Sequence, residues 1–218
     1  MLDEAPPIRR ADWQRPDPAR VALLAGVPTG HVVDALGGSG ALHARIKPAV
    51  PEQAVFVGVA LTCDNGPADN LALCVALASV RPGDVLVAAT GGHLGCAVTG
   101  DLVLGMARNG GAVGFVTDGC VRDVAGIRGV GLPAFCAGVT PDSPARNGPG
   151  TVGVPVLVGG RAVASGDVLV ADPDGVVVIP QSRLEEVLAR LPVVRAAEAE
   201  MERRVAEGLR TPPFVSIP

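Results

Sequence analysis

Three apolar runs constrain the architecture most. VFVGVALTC (55–63), VLVAAT (85–90) and AVGFVTDG (112–119) carry the Val, Phe and Thr content of strands. Each meets a break: Asp64-Asn65-Gly66-Pro67, then Gly91-Gly92-His93-Leu94-Gly95, then Asp118-Gly119. Between them lie helix-forming stretches. One is NLALCVALASV, with Asp69 placed to cap it; the other runs from Ala97 to Asn109, with Asn109-Gly110-Gly111 as a stop signal. Hydrophobic residues make up 48% of the chain and mean hydropathy is +0.39, which fits buried parallel strands and subunit interfaces. Disorder is excluded by the same count. A membrane span is not expected, because the longest uncharged stretch, Val85 to Gly100, is 16 residues and full of Gly and Thr.

The flanking segments complete the expected fold. Residues 1–20 read as an irregular, Pro-rich N-terminal arm. Pro28-Thr29 opens a helix carrying His31, Val32, Val33, Ala35 and Leu36. Beyond a short turn or helix at Val124 to Arg128 comes a fourth strand-like run, LPAFCAG (132–138). From about Gly150 to Pro180 the texture changes to short strands punctuated by Pro and Gly. The tail from Ser182 to Gly208 reads as one amphipathic helix, with Ser182 and Glu185 spaced as a capping box. No repeat and no linker is visible, so residues 21–218 are expected to form one mixed α/β domain, a layered β/β/α sandwich with a C-terminal helix over about 182–208.

Composition removes several functions. Aromatic residues make up 2%, too few for stacking platforms, and formal net charge is −4, so nucleic acid is not an expected partner. Lys47 is the only lysine and follows Ile46, so no phosphate-binding P-loop exists; Lys47 itself reads as a surface position. The five cysteines, 63, 74, 96, 120 and 136, have no C-x-x-C spacing and read as free thiols rather than zinc ligands. The N-terminus MLDEAPPIRRADWQRP lacks the apolar core of a secretory leader, and a cytoplasmic location is expected. No G-x-S-x-G and no dinucleotide fingerprint is present.

Chemistry is expected where polar residues leave the strands. The GGHLG loop (91–95) precedes a helix, and its backbone N–H groups suit an anion. Asp118-Gly119-Cys120-Val121-Arg122-Asp123 follows an apolar strand directly. Arg122 offers a planar fork to a carboxylate or enolate oxygen, and Asp123 a hard oxygen donor for Mg²⁺ or Mn²⁺. The alternative is a local turn with a surface Arg–Asp pair. Asp101 stands at the preceding strand–loop–helix junction and gives the spacing D-x20-R-D.

With that spacing the sequence resembles the class II pyruvate aldolases of the 4-hydroxy-4-methyl-2-oxoglutarate and 4-carboxy-4-hydroxy-2-oxoadipate type. These are relatives of the regulators of ribonuclease activity A, which lack the first aspartate. The resemblance spans roughly residues 28–208. It rests on VVDAL (32–36), DNLAL (69–73), RPGDVLV (81–87), GGHLGCAVTGDL (91–102), VRD (121–123) and SGDVLVADPDGVVVIP (165–180).

The resemblance implies a sandwich related to the phosphohistidine swivelling domain, homotrimers or hexamers, and active sites between subunits. It implies that Gly100, Asp101, Leu102 and Val103 contact substrate, that Arg122 binds it, and that Asp123 holds a divalent metal, Mg²⁺ or Mn²⁺. A glutamate of a neighbouring C-terminal helix, Glu198 or Glu200, would order water at the site. The implied reaction is cleavage of a 4-hydroxy-2-oxo diacid to pyruvate and a second 2-oxo acid, as in aromatic compound degradation, with oxaloacetate decarboxylation as a side activity. Arg146 and His93 are candidates for a second substrate carboxylate. The alternatives are a non-catalytic trimeric regulator of an RNA-degrading enzyme, or a related metal-dependent lyase on a sugar-derived acid.

Overall fold

A computed structural model describes residues 8–215. In chain order, Arg9–Arg10 is β1, Pro18–Ala22 α1, Thr29–Ala35 α2 and Lys47–Pro48 β2. Phe56–Asp64 is β3, Leu71–Ala76 α3 with a 3-10 turn to Ser79, and Asp84–Ala89 β4. Ala97–Thr99 is β5 and Asp101–Asn109 α4. Then come β6 (Gly114–Thr117), β7 (Cys120–Val121), α5 (Val124–Val130), β8 (Ala134–Cys136) and β9 (Gly138–Val139). The late strands are β10 (Thr151–Val152), β11 (Val156–Val158), β12 (Arg161–Val163), β13 (Val168–Asp172) and β14 (Gly175–Ile179). A 3-10 turn, Gln181–Arg183, leads into α6, Leu184–Ala206.

The apolar runs form the parallel centre of the main sheet, in the order β3-β4-β6-β8, with β2 antiparallel at one edge. On its other edge β3 takes two antiparallel partners in tandem: β13 along Phe56–Val59 and β10 at Cys63–Asp64. Successive side chains of a strand face opposite ways, and here both sides are covered. Leu61, Leu86 and Phe115 pack beneath α3, α4 and α5, against Leu73, Leu104 and Ile127. Val85, Val87 and Val116 face the β11–β12 hairpin through Val156, Val158 and Val163. A third cluster seats α1, α2 and α6 on β13 and β14. The result is a mixed α/β fold with sheets and a C-terminal helix. Phe56 and Phe135 meet edge to face, centroids 5.6 Å apart. The ring of Phe56 fits because Gly114 carries no side chain: a Cβ there would lie 2.6 Å from it.

Several local expectations change. The stretch from Ala97 is not helical throughout. Ala97, Val98 and Thr99 are buried and form β5, which pairs with β7; extended Gly100 then caps a helix that starts at Asp101. The capping box is absent, because Ser182 lies in the 3-10 turn and no side chain caps α6. Asp69 precedes the N-cap position, Asn70, yet still accepts the Leu71 N–H at 2.8 Å. Residues 1–7 of the expected arm lie outside the described residues. Beyond them, Arg9–Arg10 pairs in parallel with Thr151–Val152, and Arg15 reaches the buried carboxylate of Asp84.

Candidate functional site

The polar residues emerge from a second, smaller sheet. Strands β6 and β8 bend directly into β7 and β9, and β4 leads through the glycine loop into β5; β5, β7 and β9 form a three-stranded parallel sheet. Helices α4 and α5 start at its carboxyl end. Asp101 therefore occupies the first turn of α4, where the helix dipole favours a carboxylate. Arg122 and Asp123 follow β7, and Asp123 is the N-cap residue of α5.

Missing side chains bring the two helix starts together. A Cβ on Gly100 would lie 2.6 Å from Asp123 Oδ2 and 3.1 Å from Arg122 Cγ. A Cβ on Gly126 of α5 would overlap the Asp101 carboxylate. The N–H of Arg122 donates to the Thr99 carbonyl (3.0 Å). Its Nε donates to Asp123 Oδ2 (3.1 Å) and its Nη1 to Ser143 Oγ (2.6 Å). A guanidinium has five N–H donors, so the fork retains capacity for a ligand. Asp123 adopts φ 58°, a left-handed conformation that costs on the order of 1 kcal/mol for a residue with a side chain. Its carbonyl accepts the Ile127 N–H at 2.9 Å, and its carboxylate stays half exposed.

These residues fit a hard divalent cation. Asp123 commits Oδ2 to Arg122, and that oxygen sits where a Gly100 side chain would be; Oδ1 has no hydrogen-bond partner among the described residues and is the donor left for a cation. Among the described residues no group of three His, Cys, Asp or Glu gathers to hold a metal. A one-carboxylate site suits an ion that keeps several waters, as Mg²⁺ does, and not a closed zinc site. Burial raises the pKa of the nearby Cys96 and Cys120 thiols, which disfavours thiolate chemistry.

Of the other expected residues, Leu102 and Val103 follow Asp101 on α4, and the rest lie elsewhere. Leu102 is 75% exposed on α4, and Val103 packs toward the core. His93 is half-buried, folded over Gly95. Arg146 is exposed on the segment before β10. Glu198 pairs with His31 of α2 in the same chain, and Glu200 with Arg203. Asp118 parts from its sequence neighbours Arg122 and Asp123. It accepts from Thr90 N–H (2.8 Å), Thr90 Oγ1 (3.0 Å) and Gly92 N–H (2.8 Å), and so fixes the glycine loop. Sequence reasoning missed Ser143 and Gly126; neither has a signal that could find it without the fold.

The fold and site define a mixed α/β protein with an aspartate–arginine pair set against a second carboxylate at paired helix starts. The chain belongs to the RraA-like family, whose Aldolase/RraA model matches residues 29–178. A relative from Halalkalibacterium halodurans, named "Putative 4-hydroxy-4-methyl-2-oxoglutarate aldolase", is 38% identical over 183 residues, 84% of this chain and 87% of that protein. Streptomyces coelicolor RraAS2, described as an unusual member of the RNase ES inhibitor RraA protein family, superposes with TM-score 0.76 at 30% identity, over 87% of this chain and all of that one (100%). The RNA-processing inhibitor RraA from Thermus thermophilis gives TM-score 0.65 at 30% identity, over 71% of this chain and 93% of that one. No helix among the described residues is long and apolar enough to cross a membrane.

Proposed function

We propose that the protein is a divalent-metal-dependent pyruvate aldolase. In this reading it cleaves a 4-hydroxy-2-oxo diacid, such as 4-hydroxy-4-methyl-2-oxoglutarate or 4-carboxy-4-hydroxy-2-oxoadipate, to pyruvate and a second 2-oxo acid. The observation that carries the reading is the meeting of Asp101 with the start of α5, beside Arg122 and Asp123. The name of the Halalkalibacterium halodurans relative supports the same reaction class.

Asp123 would hold the metal, Mg²⁺ or Mn²⁺, which when bound withdraws electrons from the keto carbon of the substrate. The start of α4, Gly100 to Val103, contacts the substrate, and its backbone N–H groups other than that of Leu102, which Asp101 Oδ1 accepts at 2.7 Å, bind the adjacent carboxylate. Asp101, acting through a bound water, takes the proton of the C4 hydroxyl as the C3–C4 bond breaks and later returns one to the enolate carbon. The electron pair of that bond becomes the pyruvate enolate, whose oxygen Arg122 stabilises. A proton returned to C3 completes pyruvate, and the C4 fragment leaves as the second 2-oxo acid. Oxaloacetate reaches the same enolate by loss of CO₂, so decarboxylation accompanies aldol cleavage.

The reading includes residues 21–218 as one swivelling-domain-like unit that assembles as a trimer or hexamer. Glu198 or Glu200 is the candidate to complete a neighbouring site; within the chain Glu198 pairs with His31 and Glu200 with Arg203.

The test is pyruvate release from oxaloacetate with Mg²⁺ or excess EDTA, in wild type and in the Arg122→Ala, Glu198→Gln and Glu200→Gln variants. The reading expects metal-dependent release that collapses in Arg122→Ala and falls in one of Glu198→Gln and Glu200→Gln, which identifies the glutamate that completes a neighbouring site. Release no faster than the metal-only blank overturns it. The non-catalytic regulator reading, which the RNase ES inhibitor relationship of RraAS2 favours, then takes its place.

A further inference from the structure

A second concavity lies away from the Arg122–Asp123 pair. It has a volume of about 490 Å³, within the range of small-molecule sites, and is lined by none of Asp101, Arg122 and Asp123. It opens where the central strands end: Asp64 and Ala89 are the last residues of β3 and β4, and Asp118 follows β6. Open α/β sheets receive ligands at such carboxyl ends.

The opposite wall is the segment 43–46 with the turn of the β11–β12 hairpin, and these two are locked together. The His43 N–H donates to the Gly159 carbonyl (2.9 Å). A Cβ on Gly159 would lie 3.1 Å from the His43 backbone nitrogen and 2.6 Å from Ile46 Cδ1, so a glycine there lets the two segments pack closely. The wall that carries Arg45 is therefore built, not draped.

We propose that this cleft is a second ligand site, for a dipolar small molecule of the aliphatic α-amino acid type. Charge decides the class. One wall carries the Arg45 guanidinium, which has no hydrogen-bond or ion-pair partner among the described residues, and the His43 ring. His43 Nδ1 accepts the Arg45 N–H at 3.1 Å, which leaves Nε2 to donate. The other wall carries two carboxylates. Asp64 spends one oxygen on the Gly66 N–H (3.0 Å), and Asp118 accepts three donors of the glycine loop. A simple anion would meet two carboxylates for one guanidinium, and a simple cation would meet the guanidinium. A ligand with a carboxylate for Arg45 and His43, and an ammonium for Asp64, satisfies both walls. Apolar surface from Ala89, Ala137 and the 65% exposed Leu157 suits an aliphatic side chain between them.

Titration calorimetry with L-leucine, L-valine and L-methionine tests the proposal. The controls are N-acetyl-L-leucine, which lacks the ammonium, and L-leucinamide, which lacks the carboxylate. At least one amino acid should bind. Its affinity should fall about tenfold or more in Arg45→Ala and in Asp64→Asn, the loss expected for one charge-assisted pair. Both controls should bind as weakly as those variants, and Arg122→Ala should bind like wild type. Both cleft substitutions are at exposed positions, and unchanged melting temperatures verify their folding. Three results overturn the proposal: no binding by any of the three amino acids, binding indifferent to Arg45→Ala and Asp64→Asn, or binding abolished by Arg122→Ala. The test reads binding alone, so it is independent of whether the aldolase reading stands.

Discussion

The Asp101 carboxylate fills the space that a side chain on Gly126 would need. This couples the first turn of α4 to the first turn of α5, and it makes a glycine part of the site. Gly126→Ala is expected to displace Asp101, lowering pyruvate release by about tenfold or more and costing about 1–3 kcal/mol through overpacking. Gly129 on the same helix is the control, because a Cβ there meets nothing within 4 Å. Gly129→Ala should leave release unchanged and stabilise the helix by about 0.5–1 kcal/mol. Denaturant titration and oxaloacetate turnover of the two variants settle the matter. Equal activity in both would remove Asp101 placement from the mechanism.

Ser143 holds one arm of the Arg122 fork at 2.6 Å and lies 21 residues further along the chain. It is exposed, so Ser143→Ala should change stability by no more than about 0.5 kcal/mol. The guanidinium would lose its outer support and keep only the contact to Asp123. Steady-state kinetics should show KM for oxaloacetate raised several-fold with kcat less affected, because an unsupported fork must be ordered by the substrate itself. An unchanged KM would assign Ser143 to the surface alone.

How much of this was legible in the sequence follows from which contacts are local. The long apolar runs declared themselves as strands because both faces of β3, β4 and β6 are covered. Arg122 and Asp123 were legible because they are consecutive and follow a strand directly. The strand Ala97–Thr99 was not, since three small residues between a glycine loop and a helix carry no period of their own. Proximity in sequence puts Asp118 with Arg122, whereas the bend between β6 and β7 turns it toward Thr90 and Gly92. The partners Gly126 for Asp101, Ser143 for Arg122 and His31 for Glu198 exist only through tertiary packing. No spacing rule reaches them.

The thiols make a separate prediction. All five cysteines are free. Burial pushes Cys63 up to about 12 and Cys136 up to about 11, and raises Cys96 and Cys120 as well. At about pH 8 a thiol with a pKa near 12 is ionised to about one part in ten thousand, and the thiolate is the reactive form. Cys74 is the one cysteine that is only half-buried. Brief alkylation of the native protein, read by peptide mass, should therefore label Cys74 first, with Cys63 and Cys136 labelled only after denaturation. Early labelling of Cys63 would contradict the packing around β3.

The start of α6 should carry a signature of acid. The Arg183 guanidinium, by hydrogen bonding, holds the Glu186 carboxyl down at about 2, and Arg190 adds to the effect. Arg20 of α1 likewise lowers Glu185. A carboxyl depressed on folding contributes stability that is present above its ordinary value of 4.5 and lost as pH falls toward about 2. The pairs are exposed, so the contribution is small and weakened by salt. Melting temperature is the measurement, for wild type and Glu186→Gln across that range. Wild type should melt above the variant at neutral pH, and the gap should close as the pH falls below the ordinary carboxylate value. It should also narrow in about 1 M salt, where charges are screened within about 3 Å. A gap that persisted at the acid end would show that Glu186 holds the helix by packing its stem rather than by its charge.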